Sequence, residues 1–149
     1  MAVNEVFRRT VRAIALGDAV AAAELDSQIP DSDRADYFTF LFAVAAGAID
    51  HYFENDHSRD TIVRFVNELR HEFRKADPPI KPLAIEALIR AVFGEDHLLD
   101  DVSSADQALA CYPIIRSITY RSEHMQDNVD KYLDDAELLA REWTEDARS

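Results

Sequence analysis

Residues 37–49 read YFTFLFAVAAGAI, the longest apolar run of the chain, interrupted by Thr39 and Gly47. At helical spacing these side chains point in every direction around the axis, so such a helix has no polar face to turn toward water. Thirteen helical residues span about 20 Å, which is short of the roughly 30 Å of a bilayer core. The run therefore predicts a buried central helix over about residues 33–53 and no membrane association.

The composition around this run favours further helices joined by short turns. The chain has 22 alanines but only three glycines and five prolines. Alanine is the best helix former, and few glycines leave few of the left-handed backbone positions that tight β-hairpins need. A chain of 149 residues has room for one hydrophobic core. We therefore predict an all-α fold, a compact single domain over residues 1–149 with six or seven helices around the central one.

Capping residues and helix breakers mark the expected ends of the other helices. A first helix follows Asn4 and stops at Gly17, and Asp18 starts a second, shorter one. We expect Pro113 to kink or divide the sixth helix, because proline removes one backbone hydrogen bond. The remaining helices are predicted from Ser58 to about Ala76, from Pro82 to about Gly94, from Ser103 or Ser104 onward, and from Ser122 to about Trp143.

The chain is strongly acidic, with 29 Asp and Glu against 16 Lys and Arg and a net charge of −13. This excess argues against sequence-independent binding to DNA or RNA, because neutralising phosphates requires lysine and arginine. One interpretation is that these acids keep the protein soluble and pair with the chain's own bases, and the other is that they bind a basic partner. Two acidic regions are predicted to bind a basic partner protein: Glu95, Asp96, Asp100, Asp101, and, on the last helix, Asp127, Asp130, Asp134, Asp135 and Glu142.

Apolar residues of the last helix alternate at spacings of four and three, the pattern of a coiled-coil seam. They are Met125, Val129, Tyr132, Ala136, Leu139 and Trp143. Leu133 and Ala140 lie beside them and widen the stripe, which favours packing inside one chain. A homodimer through residues 125–143 is the alternative, with Tyr132 and Trp143 as its candidate anchors.

The turn after the central helix offers a candidate metal site. His51, Glu54, Asp56 and His57 combine imidazole and carboxylate groups that suit zinc, iron or manganese. Asp and His are also common caps and solvated residues at turns, and we favour that interpretation. The two Glu-x-x-His pairs, at 54/57 and 68/71, are separated by roughly 15 Å, too far to share one di-metal centre.

No motif of nucleophilic or nucleotide chemistry is complete in this sequence. Cys111 is the single cysteine, which excludes a disulfide within the chain, and it precedes Tyr112-Pro113 without a glycine-rich turn. Residues 79–82 match a P-x-x-P ligand pattern, but their position favours an interhelical connector. Neither a Walker loop nor a dinucleotide fingerprint is present, three glycines could hardly build one, and we expect no cofactor.

Together these features favour a non-catalytic protein-interaction module, such as an inhibitor, an immunity-type protein or an adaptor. The alternative is a small metal-dependent enzyme or ligand-binding helical bundle that uses residues 51–57. A DNA mimic is a third hypothesis, but bases on the first and fourth helices interrupt the acidic surface it would need. One thiol and an N-terminus without a signal-like apolar region predict a cytoplasmic protein.

Overall fold

The computed structural model describes residues 3–148, which contain eight α-helices and two short 3₁₀ segments. The α-helices are α1 (Glu5–Ala15), α2 (Ala19–Asp26), α3 (Arg34–Tyr52), α4 (Arg59–Glu72), α5 (Pro82–Val92), α6 (Ser104–Arg121), α7 (Glu123–Asp127) and α8 (Val129–Arg148). The 3₁₀ segments are Asp31–Asp33 and Asp96–Asp101. Helix accounts for 79% of the chain, and the part that the structure describes has no strand, so the all-α prediction is confirmed.

Helix starts agree with the capping residues read from the sequence. The side chains of Asn4, Asp18, Ser58 and Ser103 each accept a hydrogen bond from the backbone N–H three residues later. Each bond satisfies one of the first N–H groups of a helix, which have no partner inside that helix. The bonds are local, so these boundaries could be predicted without any knowledge of the tertiary structure.

Two helices near the middle of the chain differ from the prediction. α4 ends at Glu72 rather than about Ala76, and there the Arg74 guanidinium donates to the carbonyl oxygen of His71 at 2.8 Å. α6 runs through Pro113 without being divided. Proline cannot donate to the carbonyl four residues earlier, that of Leu109. Leu109 lies on an exposed side of α6, where water can replace the lost bond.

The predicted last helix is two helices, and it extends further than expected. It breaks at Asn128, whose side-chain amide donates to the carbonyl oxygen of His124 at 2.8 Å. Asparagine side chains compete with the helical backbone for such acceptors, which explains the break. α8 then continues to Arg148, beyond the end that we predicted at Trp143.

α3 lies at the centre of the fold, in contact with α1, α5, α6 and α8. Its side chains Tyr37, Phe40, Leu41 and Ile49 are fully buried, as the apolar run predicted. The enclosure is incomplete along one strip, where three apolar side chains are half-buried: Phe38, Phe42 and Ala46. Within residues 3–148, no helix combines the length and hydropathy that crossing a bilayer requires.

Buried side chains of α1 and of α3 to α8 form one hydrophobic cluster. α2 is the exception, because its one buried residue, Leu25, lies outside that cluster. Val20 of α2 is 80% exposed, and the substantial contacts of α2 with other helices are those with α1. A helix of sequence AVAAAELD is therefore left with apolar surface that the rest of residues 3–148 does not cover.

Gly17 joins α1 to α2 in a left-handed backbone conformation, with φ +79°. A Cβ atom at this position would lie 2.6 Å from the guanidinium carbon of Arg116. We expect Gly17→Ala to lower the free energy of unfolding by about 1–2 kcal/mol, the cost of this conformation for a residue with a Cβ. Urea denaturation followed by circular dichroism measures the change.

Gly47 supplies the matched control for that substitution. It lies inside α3, and no heavy atom is within 4 Å of the position that its Cβ would take. Gly47→Ala should raise the free energy of unfolding by up to about 1 kcal/mol, because alanine loses less backbone entropy on entering a helix. A stability change of the same sign in both variants would contradict the backbone argument.

Candidate functional site

The α8 carboxylates that face α1 are paired within the chain. Arg8 donates to Asp134 at 2.8 Å and to Glu137 at 3.3 Å, and Arg12 donates to Asp130 at 2.5 Å. Residues on α1 and α8 are more than a hundred positions apart in sequence, so nothing local indicated these ion pairs. Asp130 and Asp134 therefore tie α8 to α1, and their charges are not free for a partner.

Three carboxylates of the predicted C-terminal set, Asp127, Asp135 and Glu142, are exposed and make no ion pair within residues 3–148. Asp135 and Glu142 share one side of α8 with Leu138, which is 58% exposed. We call these three residues the outer face of α8. Two exposed bases border the face: Lys131 lies one turn before Asp135 without pairing with it, and Arg141, beside Glu142, pairs with Glu137.

The other acidic region forms the 3₁₀ segment Asp96–Asp101 and the residue before it. Glu95 accepts two hydrogen bonds from the Arg90 guanidinium, at 2.7 and 2.8 Å, which lower the pKa of its carboxyl. The charge of Glu95 is therefore also paired within the chain. Asp96, Asp100 and Asp101 stay exposed, and the neighbouring Leu98 and Leu99 are half-buried rather than exposed.

The four residues of the candidate metal site do not converge. The His51 ring stacks on His124 with centroids 5.4 Å apart, and its Nε2 lies 3.2 Å from the Ser122 hydroxyl. His57 stacks on Phe93 at 4.5 Å instead. Within the described residues, no group of three or more His, Cys, Asp or Glu is placed to hold a metal ion. The structure therefore gives His51, Glu54, Asp56 and His57 no common site.

Asp56 has a local structural role at the start of α4. Its carboxylate accepts a hydrogen bond from the Thr61 hydroxyl at 2.7 Å and one from the backbone N–H of Ser58 at 3.0 Å. These bonds favour the ionised form and lower the pKa of Asp56 to about 2. The turn thus uses this carboxylate to order the N-terminus of α4, which is the capping interpretation of the sequence.

The seam of the last helix packs against the core of its own chain. Met125, Val129 and Ala136 of the seam are buried, as are Leu133 and Ala140 beside it, and α8 contacts α1 and α3. The candidate dimer anchors differ from them: Tyr132 is half-buried against the core, and Trp143 is 39% exposed. The intramolecular interpretation of the seam therefore accounts for its buried residues.

Cys111 is buried inside α6, and its thiol lies 3.4 Å from the carbonyl oxygen of Gln107. Burial raises the pKa of this thiol above its usual range, because the thiolate would be removed from water. A thiol that stays protonated at neutral pH is a poor nucleophile. The environment of Cys111 is that of a core residue.

An apolar groove of about 830 Å³ lies between α1 and α2 on one side and α6 and residues 76–81 on the other. Its walls are mainly alanine, isoleucine, leucine and proline side chains, among them Ile14, Ala22, Ile80, Leu109 and Pro113. Its volume and its mainly apolar lining are those of small-molecule sites in proteins. We call it the α2–α6 groove.

Most of the charges that line the α2–α6 groove are neutralised in pairs. Asp26 accepts from the Arg34 guanidinium at 2.8 Å, and Lys81 donates to Asp106 at the same distance. Arg116 is the exception. Its one hydrogen bond goes to the carbonyl oxygen of Ala15 at 3.5 Å, and its guanidinium lies 5.3 Å from the centre of the Tyr120 ring. A half-buried cation thus faces the groove, and it has no carboxylate partner among residues 3–148.

Sequence reasoning did not find this groove, although one signal pointed to it. The second helix, AVAAAELD, has no distinct polar and apolar faces, and a short apolar helix must either be covered or leave apolar surface exposed. The position of Arg116 beside Gly17 had no signal in the sequence, because 99 residues separate the two along the chain.

Comparisons of the chain with protein-family models, with curated proteins and with solved structures find no match in any of the three.

Proposed function

We propose that this protein is a non-catalytic interaction module that binds a basic protein surface with the outer face of α8. The observation that carries the proposal is Leu138, an exposed apolar side chain beside the exposed carboxylates of Asp135 and Glu142. Its other two helical neighbours, Asp134 and Arg141, are held in ion pairs with the chain's own residues. An apolar contact surrounded by polar and charged groups is the usual composition of a protein–protein contact surface. We place the protein in the cytoplasm, where its single thiol would stay reduced.

The two parts of the outer face would contribute differently to binding. Burying a leucine side chain stabilises a complex by roughly 1.5–3 kcal/mol before other costs are counted. Asp135 and Glu142 make no ion pair with the bases that the structure describes, so a partner need not break such a pair to meet them. Exposed charges act mainly on the rate of encounter, and salt screens them over roughly 10 Å.

The segment Asp96–Asp101 supports the proposal less well. It carries three exposed carboxylates, but no exposed large apolar side chain lies among them. Carboxylates without an apolar contact can steer a partner but bury little surface with it. We therefore assign this segment a role in the long-range negative potential of the protein, and the contact itself to α8.

Two double charge reversals test this assignment, because each changes the net charge by the same amount. Asp135→Lys with Glu142→Lys alters the outer face of α8, and Asp100→Lys with Asp101→Lys alters the other region. Proteins retained by the wild type in affinity capture would be identified, and their association rates measured. We expect the first pair to slow association at least tenfold and the second pair to slow it less than threefold.

A third variant, Leu138→Ser, keeps every charge and removes the apolar contact. It should leave the association rate nearly unchanged and raise the dissociation rate at least tenfold. Equal slowing by both charge reversals would assign the effect to net charge alone. Unchanged rates in all three variants would remove the outer face of α8 from any interface.

A further inference from the structure

The α2–α6 groove combines three features that have no use in the function proposed above. It is large enough for a small organic molecule, and its wall includes two exposed alanines of α2, Ala19 and Ala23. It is also lined by Arg116, which, unlike the other charged side chains of the groove, pairs with no opposite charge in the described part of the chain.

We propose that the α2–α6 groove binds a small amphipathic monocarboxylate, with the carboxylate on Arg116 and the apolar body along α2 and α6. The guanidinium has five N–H donors in a planar fork, and Ala15 uses one of them weakly, at 3.5 Å. A carboxylate pairs with such a fork through two parallel hydrogen bonds. The alkyl body then covers Ala22, Ile14 and Leu109, and removing their apolar surface from water stabilises the complex.

The charge of the groove selects a monoanion over a phosphate or a cation. One guanidinium neutralises one negative charge, whereas a phosphate monoester carries between one and two at neutral pH. The surplus charge would then have no cation of its own, because Arg34 and Lys81 already pair with Asp26 and Asp106. A cation would meet Arg116 as a like charge, and an uncharged ligand would leave the guanidinium partly desolvated without a partner.

Arg116 also lies at the C-terminal end of α1, where the helix dipole favours a positive charge. The helix dipole explains why an arginine is tolerated at this position, but the contact with α1 uses only one of the five N–H donors of the guanidinium. Gly17 increases the access to the rest, because a Cβ at this position would overlap the guanidinium. The two roles of Arg116 can be distinguished by substitution. Loss of its stabilising role changes the free energy of unfolding, whereas loss of its binding role changes the affinity for an anion.

Isothermal titration calorimetry with decanoate, below its micelle concentration, tests the proposal, and decanol is the uncharged control of equal chain length. We expect decanoate to bind one site per chain, at least tenfold more tightly than decanol. The preference should shrink as salt is added, because salt screens the partly exposed ion pair. Equal affinities for the two molecules, or no saturable binding of decanoate, would overturn the proposal.

Two substitutions locate the carboxylate. Arg116→Gln should lower the affinity for decanoate at least tenfold and leave the affinity for decanol unchanged. Arg116→Lys, which keeps the charge but loses the planar fork, should give an intermediate affinity. Arg141→Gln is the matched control, because Arg141 lies on α8, pairs with Glu137 and does not line the groove. It should bind decanoate as the wild type does.

Decanoate binding that is equally strong in the wild type and in Arg116→Gln would place the carboxylate elsewhere and refute the inference. If Arg116→Gln fails to fold, the comparison of decanoate with decanol on the wild type decides the question. Leu109→Asp gives an independent measurement, because it places a negative charge on the exposed wall of the groove. This substitution should weaken the binding of decanoate more than the binding of decanol. An equal loss of affinity for both molecules would also count against the proposal.

Discussion

Leu41→Asp is expected to leave no folded protein at 25 °C. Leu41 is fully buried in α3, the helix that most of the other long helices contact. A carboxylate there loses its hydration without gaining a partner, which costs several kcal/mol, and the apolar contacts of leucine are lost as well. The free energy of unfolding of a domain is about 5–15 kcal/mol, so the substitution removes most or all of it.

Far-UV circular dichroism and a urea titration measure this loss. Ala35→Asp is the control, because it introduces the same side chain at an exposed position in the first turn of the same helix. A carboxylate near a helix N-terminus interacts favourably with the helix dipole, so this variant should stay within about 0.5 kcal/mol of the wild type. A cooperative wild-type transition in Leu41→Asp would show that α3 is not central.

Phe53→Ala is expected to lower the free energy of unfolding by about 3–5 kcal/mol. Phe53 follows α3 and is buried in a group of aromatic rings. It meets Tyr52, Phe65 and Phe93 edge to face, with centroids 4.9, 5.3 and 6.4 Å apart. Truncation to alanine opens a cavity at the point where α3, α4 and the end of α5 meet, and rings of fixed shape cannot collapse into it fully.

Phe53→Leu should cost less than Phe53→Ala, because leucine fills more of the same space. Leu83→Ala is the exposed control, since Leu83 is 82% exposed, and it should change stability by no more than about 0.5 kcal/mol. Thermal and urea unfolding of the three variants give the comparison. Similar losses for Phe53→Ala and Leu83→Ala would show that the aromatic group is not part of the packed core.

The predictions that failed were those that depended on the surroundings of a residue. Pro113 does not divide its helix, which was one of the two outcomes expected of it. The fourth and last helices ended or broke where a side chain competed for a backbone carbonyl, at Arg74 and at Asn128. Both side chains belong to types that are common inside helices or at turns, and only the conformation around them selects which bond forms.

The acidic residues also show what depends on the surroundings of a residue and not on the local sequence. The sequence predicted nine carboxylates as partner-binding residues and could not separate them. The tertiary structure separates them, because three of the nine, Asp130, Asp134 and Glu95, are paired with arginines. Two of these arginines come from α1, and their approach to α8 depends on how both helices pack on α3.

By itself the sequence determined the helical class, the central position of residues 37–49 and the starts of most helices. These features follow from the periodicity of apolar residues and from hydrogen bonds between residues three positions apart, which are properties of a short segment. Only the tertiary structure decided which charges are neutralised and where apolar surface remains open. The α2–α6 groove and the unpaired Arg116 belong to this second group, because their walls come from segments that are distant in sequence. Such contacts are determined by the packing of whole helices, so no local sequence pattern predicts them.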